Sequence, residues 1–415
     1  MSRVHQVTLS KRIEHSQQGE YITLPFSVPV DIEEIKVELS FSHADENIID
    51  LGLEDPNGYK GWSGGARKNI FVREDRATPG YTLGELPAGE WGVILNAYRV
   101  PESCEVNVLV TLMMSEKRWL KGDLHLHSNH SDGAFTLAEV VENARHADLD
   151  FVALTDHNTF SQNYQYPLVE DLAVIPGVEL TTNRGHCNFY GVHKPFADFR
   201  CATKEDVQEK IDEGMANGAV ISINHPHCSF CSWEWGLEHF DVKIVEIWNG
   251  PWSKQNQAAL TWWDLQLQQG KKIVAIGGSD THRLHETIKY GTPTTWIYSD
   301  MHTPRKLLEA LTAGQVCIAG RPNSPWIQMQ TGETLMGGTF KRNHDRTLIK
   351  IDIPESTGGL LKIITDQGDV FKSHKPAGTL SRTVEIPGSS IYVRAELWDV
   401  ETDTPIVISN PIYFP

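Results

Sequence analysis

The chain has 415 residues, which is too long for one typical hydrophobic core, so we expect two or three domains. Its 37 lysines and arginines against 54 aspartates and glutamates give a net charge of −17, which disfavours a broad surface for nucleic acid or anionic membrane. We therefore expect neither partner. The N-terminal residues lack the apolar run of a signal peptide, and the six cysteines form no regular framework, so free thiols in a cytoplasmic protein are expected.

The first region, residues 1–115, has an all-β pattern. Segments 35–41 and 106–112 are apolar or alternating, and turn-forming clusters such as 55–58 separate such segments. Short strands with proline, glycine and asparagine between them are typical of a β-sandwich. We find no cluster of catalytic residue types here, so the chemistry is expected elsewhere.

From about residue 119 to 320, apolar strands alternate with helices. Strands are predicted at positions such as 151–155 and 219–223, and Thr136, Thr203 and Ser253 are placed to cap helices. This alternation predicts a parallel sheet or barrel covered by helices. After residue 321 the β pattern returns, and residues 321–415 are predicted to form a second, smaller β-sandwich.

One predicted strand carries His125 and His127, which alternate with Leu124 and Leu126. Because side chains of a strand alternate between its two faces, both histidines leave the same face while both leucines enter the core. Two neighbouring imidazoles can hold one divalent metal ion, and Asp132 follows on the loop, where its carboxylate could reach the same or a second ion.

Imidazoles and carboxylates recur at the ends of the following strands. They occur in the segments Asp156-His157-Asn158, Glu179 with His186 beyond it, His225-Pro226-His227 and Asp280-Thr281-His282. In barrel-type α/β folds these strand ends converge, so the sequence predicts one metal centre. Its nitrogen and oxygen ligands suit Zn, Mn or Fe(II), and two or three ions would supply hydroxide at neutral pH and clamp phosphoryl oxygens.

These motifs in this order resemble the PHP family, the polymerase-and-histidinol-phosphatase metallo-phosphoesterases, over roughly residues 119–320. They are His125-x-His127, Asp156-His157-Asn158, Pro176-Gly177-Val178-Glu179, Asn224-His225-Pro226 and Asp280-x-His282. The flanking β regions, with segments 122–125 and 410–413, resemble the CehA/McbA-like branch of the family. The resemblance implies a distorted (β/α)₇ barrel between an N-terminal and a C-terminal β-sandwich.

The resemblance also implies a set of metal ligands. A first ion would be held by His125, His127, Glu179 and Asp280, a second by Glu179 as a bridge with His186 and His225, and a third by Asp132, His157 and His282.

Three residues near these motifs are candidates for binding substrate or moving protons. Arg184 and Arg283 suit phosphate oxygens, with a surface salt bridge as the alternative for each. His227 is a candidate general acid; the alternative is that it hydrogen-bonds to one of the metal ligands. Asp156 is a candidate to orient a ligand histidine.

Two further groups receive a structural interpretation. Cys228-x-x-Cys231 has no matching second pair, so a structural zinc site is not expected there. Tryptophans crowd the second half of the middle region, and we favour core packing over a pocket for a flat or apolar group; they are Trp233, Trp235, Trp248, Trp252, Trp262 and Trp263.

The leading hypothesis is a metal-dependent hydrolase of a small-molecule phosphomonoester or phosphodiester, with metal-bound hydroxide as nucleophile. An alternative is a carbamate or carboxylic-ester hydrolase at the same centre, and the tryptophan-rich segment favours it. An alternative of another class is a glycan- or protein-binding module with structural metals. A homo-oligomer is left open.

Overall fold

The computed structural model describes residues 4–342 and 346–415. The chain divides into two compact units, one formed by residues up to Lys117 with Leu168–Glu170, the other by Arg118–Pro167 with Asp171–Pro415. The three predicted domains, 1–115, 119–320 and 321–415, stay a prediction. None of the helices within the described ranges is long and apolar enough to cross a membrane.

The first unit consists of two four-stranded antiparallel sheets. Its strands are β1 Val4–Glu14, β2 Tyr21–Val28, β3 Ile32–Phe41, β4 Ile48–Asp55, β5 Gly58–Gly64, β6 Asn69–Val72, β7 Gly89–Arg99 and β8 Ser103–Met114. The sheet orders are β1-β8-β3-β6 and β2-β7-β4-β5. Buried side chains from both sheets, such as Val37 and Val93, form one hydrophobic cluster. This arrangement is compatible with the β-sandwich, which stays a prediction.

The second unit begins with a mixed α/β region, which confirms the predicted α/β class. Its elements are β9 Arg118–Leu126, α1 Leu137–His146, β10 Phe151–Leu154, β11 Ala173–Thr182, β12 Gly185–Tyr190, α2 Lys204–Ala216, β13 Val220–Ile223, β14 Ile244–Asn249, α3 Lys254–Gln268, β15 Val274–Gly278, β16 Thr294–Ser299, α4 Pro304–Thr312 and β17 Val316–Ala319. The predicted caps Thr136, Thr203 and Ser253 each accept a hydrogen bond from the backbone N–H three residues ahead.

The sheet of this region runs in the order β15-β14-β13-β12-β11-β10-β9-β16-β17. Neighbours β9–β10–β11 and β13–β14–β15 are parallel, as predicted. Strand β12 is antiparallel to both of its neighbours, which the sequence analysis did not predict. Only Asn183 and Arg184 separate β11 from β12, so the chain has no room for a crossover and must fold back as a hairpin.

The last strand of this series, β15, ends beside β9, the first strand, which carries His125 and His127. The Asp280 N–H donates to the His125 carbonyl at 2.9 Å, and Leu126 forms a parallel bridge with Thr281. Gly278 permits this approach, because a Cβ there would lie 2.4 Å from the Cβ of His125. The distorted (β/α)₇ barrel stays a prediction, with which this closure is compatible.

The remaining strands are β18 Gln328–Thr331, β19 Thr334–Leu335, β20 Arg346–Ser356, β21 Gly359–Thr365, β22 Gly368–Lys375, β23 Gly378–Pro387, β24 Tyr392–Asp399, β25 Thr404–Ser409 and β26 Ile412–Tyr413. One group has the order β19-β18-β20-β23, while β25-β24-β21-β22 continues the large sheet from β17, with β26 on β24. Buried residues of both groups form a shared cluster, and the smaller β-sandwich stays a prediction.

Candidate metal centre

Strand β9 places His125 and His127 as the sequence predicts. Leu124 and Leu126 are buried, and both imidazoles are also almost fully buried. Their ring centroids lie 5.2 Å apart, so the rings stand together on one side of the strand. Because β9 is paired on both sides, with β10 and β16, the two rings are held on a rigid support.

Glu179, near the end of β11, lies at the middle of the site. Its Oε1 lies 3.3 Å from His125 Nε2, 3.2 Å from His186 Nδ1 and 3.5 Å from His225 Nε2. Its Oε2 lies 2.8 Å from His157 Nδ1 and 3.5 Å from His127 Nε2. One buried carboxylate therefore faces five imidazoles.

Asp280 supplies a second carboxylate at the end of β15. Its Oδ1 lies 3.0 Å from His127 Nε2, 3.4 Å from His125 Nε2 and 3.6 Å from His282 Nδ1. Asp280 and His225 both adopt positive φ, at 54° and 26°. Side chains other than glycine rarely adopt this conformation, and such backbone strain clusters at functional sites.

Asp132 lies at the exposed edge of the site. Its Oδ1 lies 3.2 Å from His282 Nε2 and 3.6 Å from His157 Nε2. The ring of His127 stacks on those of His282 and His157, with centroids 4.0 and 4.3 Å apart. The structure thus brings all nine predicted ligand residues to one place, although their division among two or three ions stays a prediction.

The side chains of the site suit divalent ions. Each of four groups has ligand atoms within 4.8 Å of one another: His127-Asp132-His157-His282, His125-His127-Glu179, His125-His225-Asp280 and His157-Glu179-His186. Within the described ranges, the buried Nε2 atoms of His125 and His127 lie 3.0 to 3.5 Å from carboxylate oxygens of Glu179 and Asp280 but form no hydrogen bond of good geometry with them. A buried nitrogen left without a partner is costly, and coordination of a cation would satisfy it.

The charges of the site favour ionised carboxylates. Burial opposes the ionisation of Glu179, but His125, His157 and His186 outweigh it and hold the pKa of Glu179 well below its ordinary value. Burial likewise opposes the charged form of His125, yet Asp280, Glu179 and Glu246 hold its pKa well above the ordinary value. The cluster therefore balances its carboxylates with protons, which a divalent cation can replace.

Some residues that hydrogen-bond to the predicted ligands were missed by the sequence analysis. Glu246, on β14, places Oε1 3.1 Å from His125 Nδ1 and accepts the His225 backbone N–H at 3.0 Å on Oε2. Asn224 donates to Glu179 Oε1 at 2.8 Å. A buried carboxylate in the otherwise apolar strand 244–248 was the available signal for Glu246.

Within the described residues, Asp156 hydrogen-bonds to two serines of a loop and to none of the ligand histidines. Its carboxylate accepts hydrogen bonds from the N–H and hydroxyl groups of both Ser128 and Ser131, at 2.8 to 3.1 Å. It therefore holds the loop that ends at Asp132. The sequence analysis chose the correct neighbourhood and the wrong partner, because the loop folds back over the end of β10.

The three candidates for substrate contact lie within two residues of predicted ligands along the chain. The Arg184 guanidinium packs 4.6 Å from the Trp235 ring and donates to the Glu234 carbonyl at 3.3 Å. Arg283 is exposed directly after His282. Burial lowers the pKa of His227, whose Nε2 has no hydrogen-bond partner in the described part of the chain. Their roles stay predictions.

Most tryptophans of the middle region pack in its core. Trp233, Trp235, Trp248 and Trp263 are buried, and Trp252 and Trp262 pack partly buried against the same cluster. Trp248 and Trp252 also line a cleft of about 1340 Å³ that includes residues 284–287 and 289–290. None of the nine ligand candidates lines this cleft in the described structure, although Trp248 is two residues from Glu246.

Residues 123–220 match the family model of the PHP domain. The chain therefore carries a PHP domain, as the ordered motifs predict. The match contains six of the nine predicted ligands, from His125 to His186. The CehA/McbA-like branch stays a prediction, and no curated protein shows significant similarity to the chain.

Several solved structures show a limited likeness. A two-domain protein from Bacteroides vulgatus ATCC 8482, containing a predicted PHP-like metal-dependent phosphoesterase, is 18% identical with a TM-score of 0.43, and covers 71% of this chain and 96% of its own. A proposed metal-dependent phosphoesterase from Bifidobacterium adolescentis ATCC 15703 is 15% identical with a TM-score of 0.30, covering 46% and 94%. An amidohydrolase from Chromobacterium violaceum with bound sulfate is 16% identical with a TM-score of 0.27, covering 40% and 89%.

Proposed function

We propose that the chain is a metal-dependent hydrolase of small-molecule phosphomonoesters or phosphodiesters. The observation that carries this proposal is the position of Glu179, a buried carboxylate that faces five imidazoles at distances of 2.8 to 3.5 Å. The PHP domain over residues 123–220 supports the same conclusion.

The proposed ligands are those that the sequence analysis assigns, with Mn, Zn or Fe as the metals. When bound, two or three such ions supply a nucleophile from water at neutral pH and neutralise charge on phosphoryl oxygens. Glu179 and Asp280 supply the negative charge that holds cations in a buried site. Glu246 fixes the ring of His125 from its Nδ1 side, as carboxylates behind ligand histidines do in other metal sites.

The substrate contacts are proposed for residues at the open edge of the site. Asp132 is exposed, so this edge is accessible to a small molecule. Arg283 follows His282 and is exposed, and its guanidinium suits phosphate oxygens. The Nε2 of His227 is buried and has no hydrogen-bond partner within the described residues, and burial favours its neutral form, so proton donation by His227 would require its side chain to move.

The test compares the cleavage of four substrates with three metals, all on one preparation of the protein. Chelator-treated protein is reconstituted separately with Mn²⁺, Zn²⁺ and Fe²⁺ under reducing conditions, and each form is assayed on a nitrophenyl phosphate monoester, the corresponding diester, nitrophenyl acetate and a naphthyl carbamate. We expect metal-dependent cleavage of at least one phosphoester. Asp280→Asn should abolish this activity, whereas Glu142→Gln, the control at an exposed position, should retain it. No phosphoester cleavage with any of these metals would refute the phosphoesterase proposal.

Carbamate or carboxylic-ester hydrolysis is the second candidate. The observation that favours it is the aromatic cleft in which Trp252 is partly exposed beside Trp248, since an aromatic wall suits a flat apolar group. A substrate bound there would have to extend from the cleft to the metal centre, because none of the nine ligand candidates lines the cleft in the described structure. Metal-dependent cleavage of the naphthyl carbamate alone would establish this candidate. The glycan- or protein-binding alternative stays a prediction that no specific observation favours.

A further inference from the structure

Two cysteines lie close together on the turn that follows the candidate ligand His225. The Sγ atoms of Cys228 and Cys231 are 3.1 Å apart, closer than ordinary contact between two unbonded sulfurs. The Cys228 N–H donates to the His225 carbonyl at 2.9 Å, which fixes the start of the turn. Both side chains are only partly buried, so a small reagent can reach them. Four-residue turns bring their ends within the Cα separation that a disulfide needs.

The same pair contacts the proposed metal centre through one imidazole. Cys231 Sγ lies 3.6 Å from His225 Nδ1, while the Nε2 of that ring faces Glu179 at 3.5 Å. The Cys231 sulfur therefore faces Nδ1 of the His225 ring, and the Glu179 carboxylate faces Nε2. Although His186, His225 and Cys231 have ligand atoms within 4.8 Å of one another, this geometry makes Cys231 a partner that orients His225.

We propose that Cys228 and Cys231 form a thiol–disulfide modification site whose oxidised form frees the Nδ1 of His225. Among the described residues, the other four cysteines do not form a second pair of accessible thiols. Cys104, Cys187 and Cys317 are buried, and the partly buried Cys201 has the fully buried Cys187 as its cysteine neighbour. The effect on metal binding rests on the proposed metal centre, whereas formation of the disulfide does not.

The reaction is exchange with a small-molecule disulfide such as oxidised glutathione. One cysteine thiolate attacks a sulfur of glutathione disulfide, forming a mixed disulfide and releasing one glutathione thiolate. The thiolate of the second cysteine then attacks the protein sulfur of the mixed disulfide and releases the second glutathione. The protein pair loses two electrons and two protons, and one glutathione disulfide becomes two thiols.

Formation of the bond changes what Cys231 offers to His225. When Nε2 of His225 binds a metal, its Nδ1 carries the ring hydrogen and donates it to Cys231 Sγ. A thiolate sulfur accepts this hydrogen, whereas a disulfide sulfur is a weak acceptor and turns toward Cys228. Loss of the group behind a ligand histidine typically weakens metal binding on the order of 10- to 100-fold. We therefore expect the oxidised protein to release metal faster than the reduced protein.

The first test measures the disulfide. The full chain is equilibrated with mixtures of reduced and oxidised glutathione, quenched with iodoacetamide, and digested for mass spectrometry. We expect the peptide with Cys228 and Cys231 to lose two hydrogens and take up no alkyl group, while Cys201, the internal control, forms no such protein disulfide. The proposal is overturned if both cysteines stay alkylated, or carry only glutathione, at every ratio.

The second test measures the consequence for metal. Zn²⁺-loaded protein is mixed with a chromogenic chelator, and release rates are compared for reduced wild type, oxidised wild type, and reduced Cys228→Ala and Cys231→Ala. We expect release to be about tenfold faster in oxidised wild type and in Cys231→Ala, with Cys228→Ala like reduced wild type. Equal rates in oxidised and reduced wild type would refute the coupling. A chain that takes up no divalent metal in either state would contradict the proposed function, while the mass measurement would still decide the disulfide.

Discussion

Replacing Glu179 with glutamine removes one negative charge and leaves the shape of the side chain. This carboxylate is fully buried and faces five imidazoles, and Asn224 donates to its Oε1. Removing one member of a buried charge cluster typically costs about 3–5 kcal/mol, because the charges left behind lose their partner. We expect a loss near the lower end of that range in the metal-free protein, since the histidines can release protons in response.

The assay for this variant has two readings. Denaturant unfolding gives the free energy of unfolding of the metal-free protein, and isothermal titration with Zn²⁺ gives metal affinity. Glu142→Gln, on the exposed face of α1, is the matched control and should stay within about 0.5 kcal/mol of wild type. The reasoning is refuted if Glu179→Gln unfolds like the control and binds Zn²⁺ as wild type does.

Three further variants test other parts of the site and fold. In Gly278→Ala the new Cβ would lie 2.4 Å from that of His125, so we expect β15 to shift and metal content by elemental analysis to fall; full metal content would contradict the closure of the sheet. Glu246→Gln should weaken Zn²⁺ affinity about 10- to 100-fold in calorimetry, and unchanged affinity would exclude its orienting role. Burial raises the pKa of the Asp75 carboxyl, although the charge of Arg76 opposes the shift. The folded chain therefore holds the carboxyl proton of Asp75 more tightly than the unfolded chain does. The stability that this protonated form contributes is lost as pH rises through the pKa of the folded state. Asp75→Asn should therefore flatten the decline in unfolding free energy from acid to neutral pH, whereas parallel profiles would disprove this account.

The parts of the site that the sequence predicts are those set by local periodicity. The alternation of Leu124 and Leu126 with His125 and His127 fixes which face each side chain takes, because a strand has a period of two. Glu179 and Asp280 follow from the rule that strand ends converge. The helix caps were equally predictable, since a threonine or serine before a helix acts within one turn.

The parts that the sequence did not predict depend on which strands are neighbours. Glu246 reaches His125 because Gly278 lets β15 lie close to β9, and no pattern within 244–248 specifies that contact. The Cys231–His225 contact depends likewise on a turn whose shape the spacing alone does not define. The antiparallel β12 was missed because the alternation of strands with helices suggested parallel neighbours throughout.

The central claim is that side chains between His125 and His282 share divalent cations around Glu179. Anomalous X-ray diffraction from crystals of the Mn²⁺- or Zn²⁺-loaded protein tests it most directly. The account predicts at least one anomalous peak within about 2.0–2.3 Å of a Glu179 oxygen and of a histidine nitrogen. Crystals of loaded protein that show no anomalous peak at Glu179, His125 or Asp280 would contradict it.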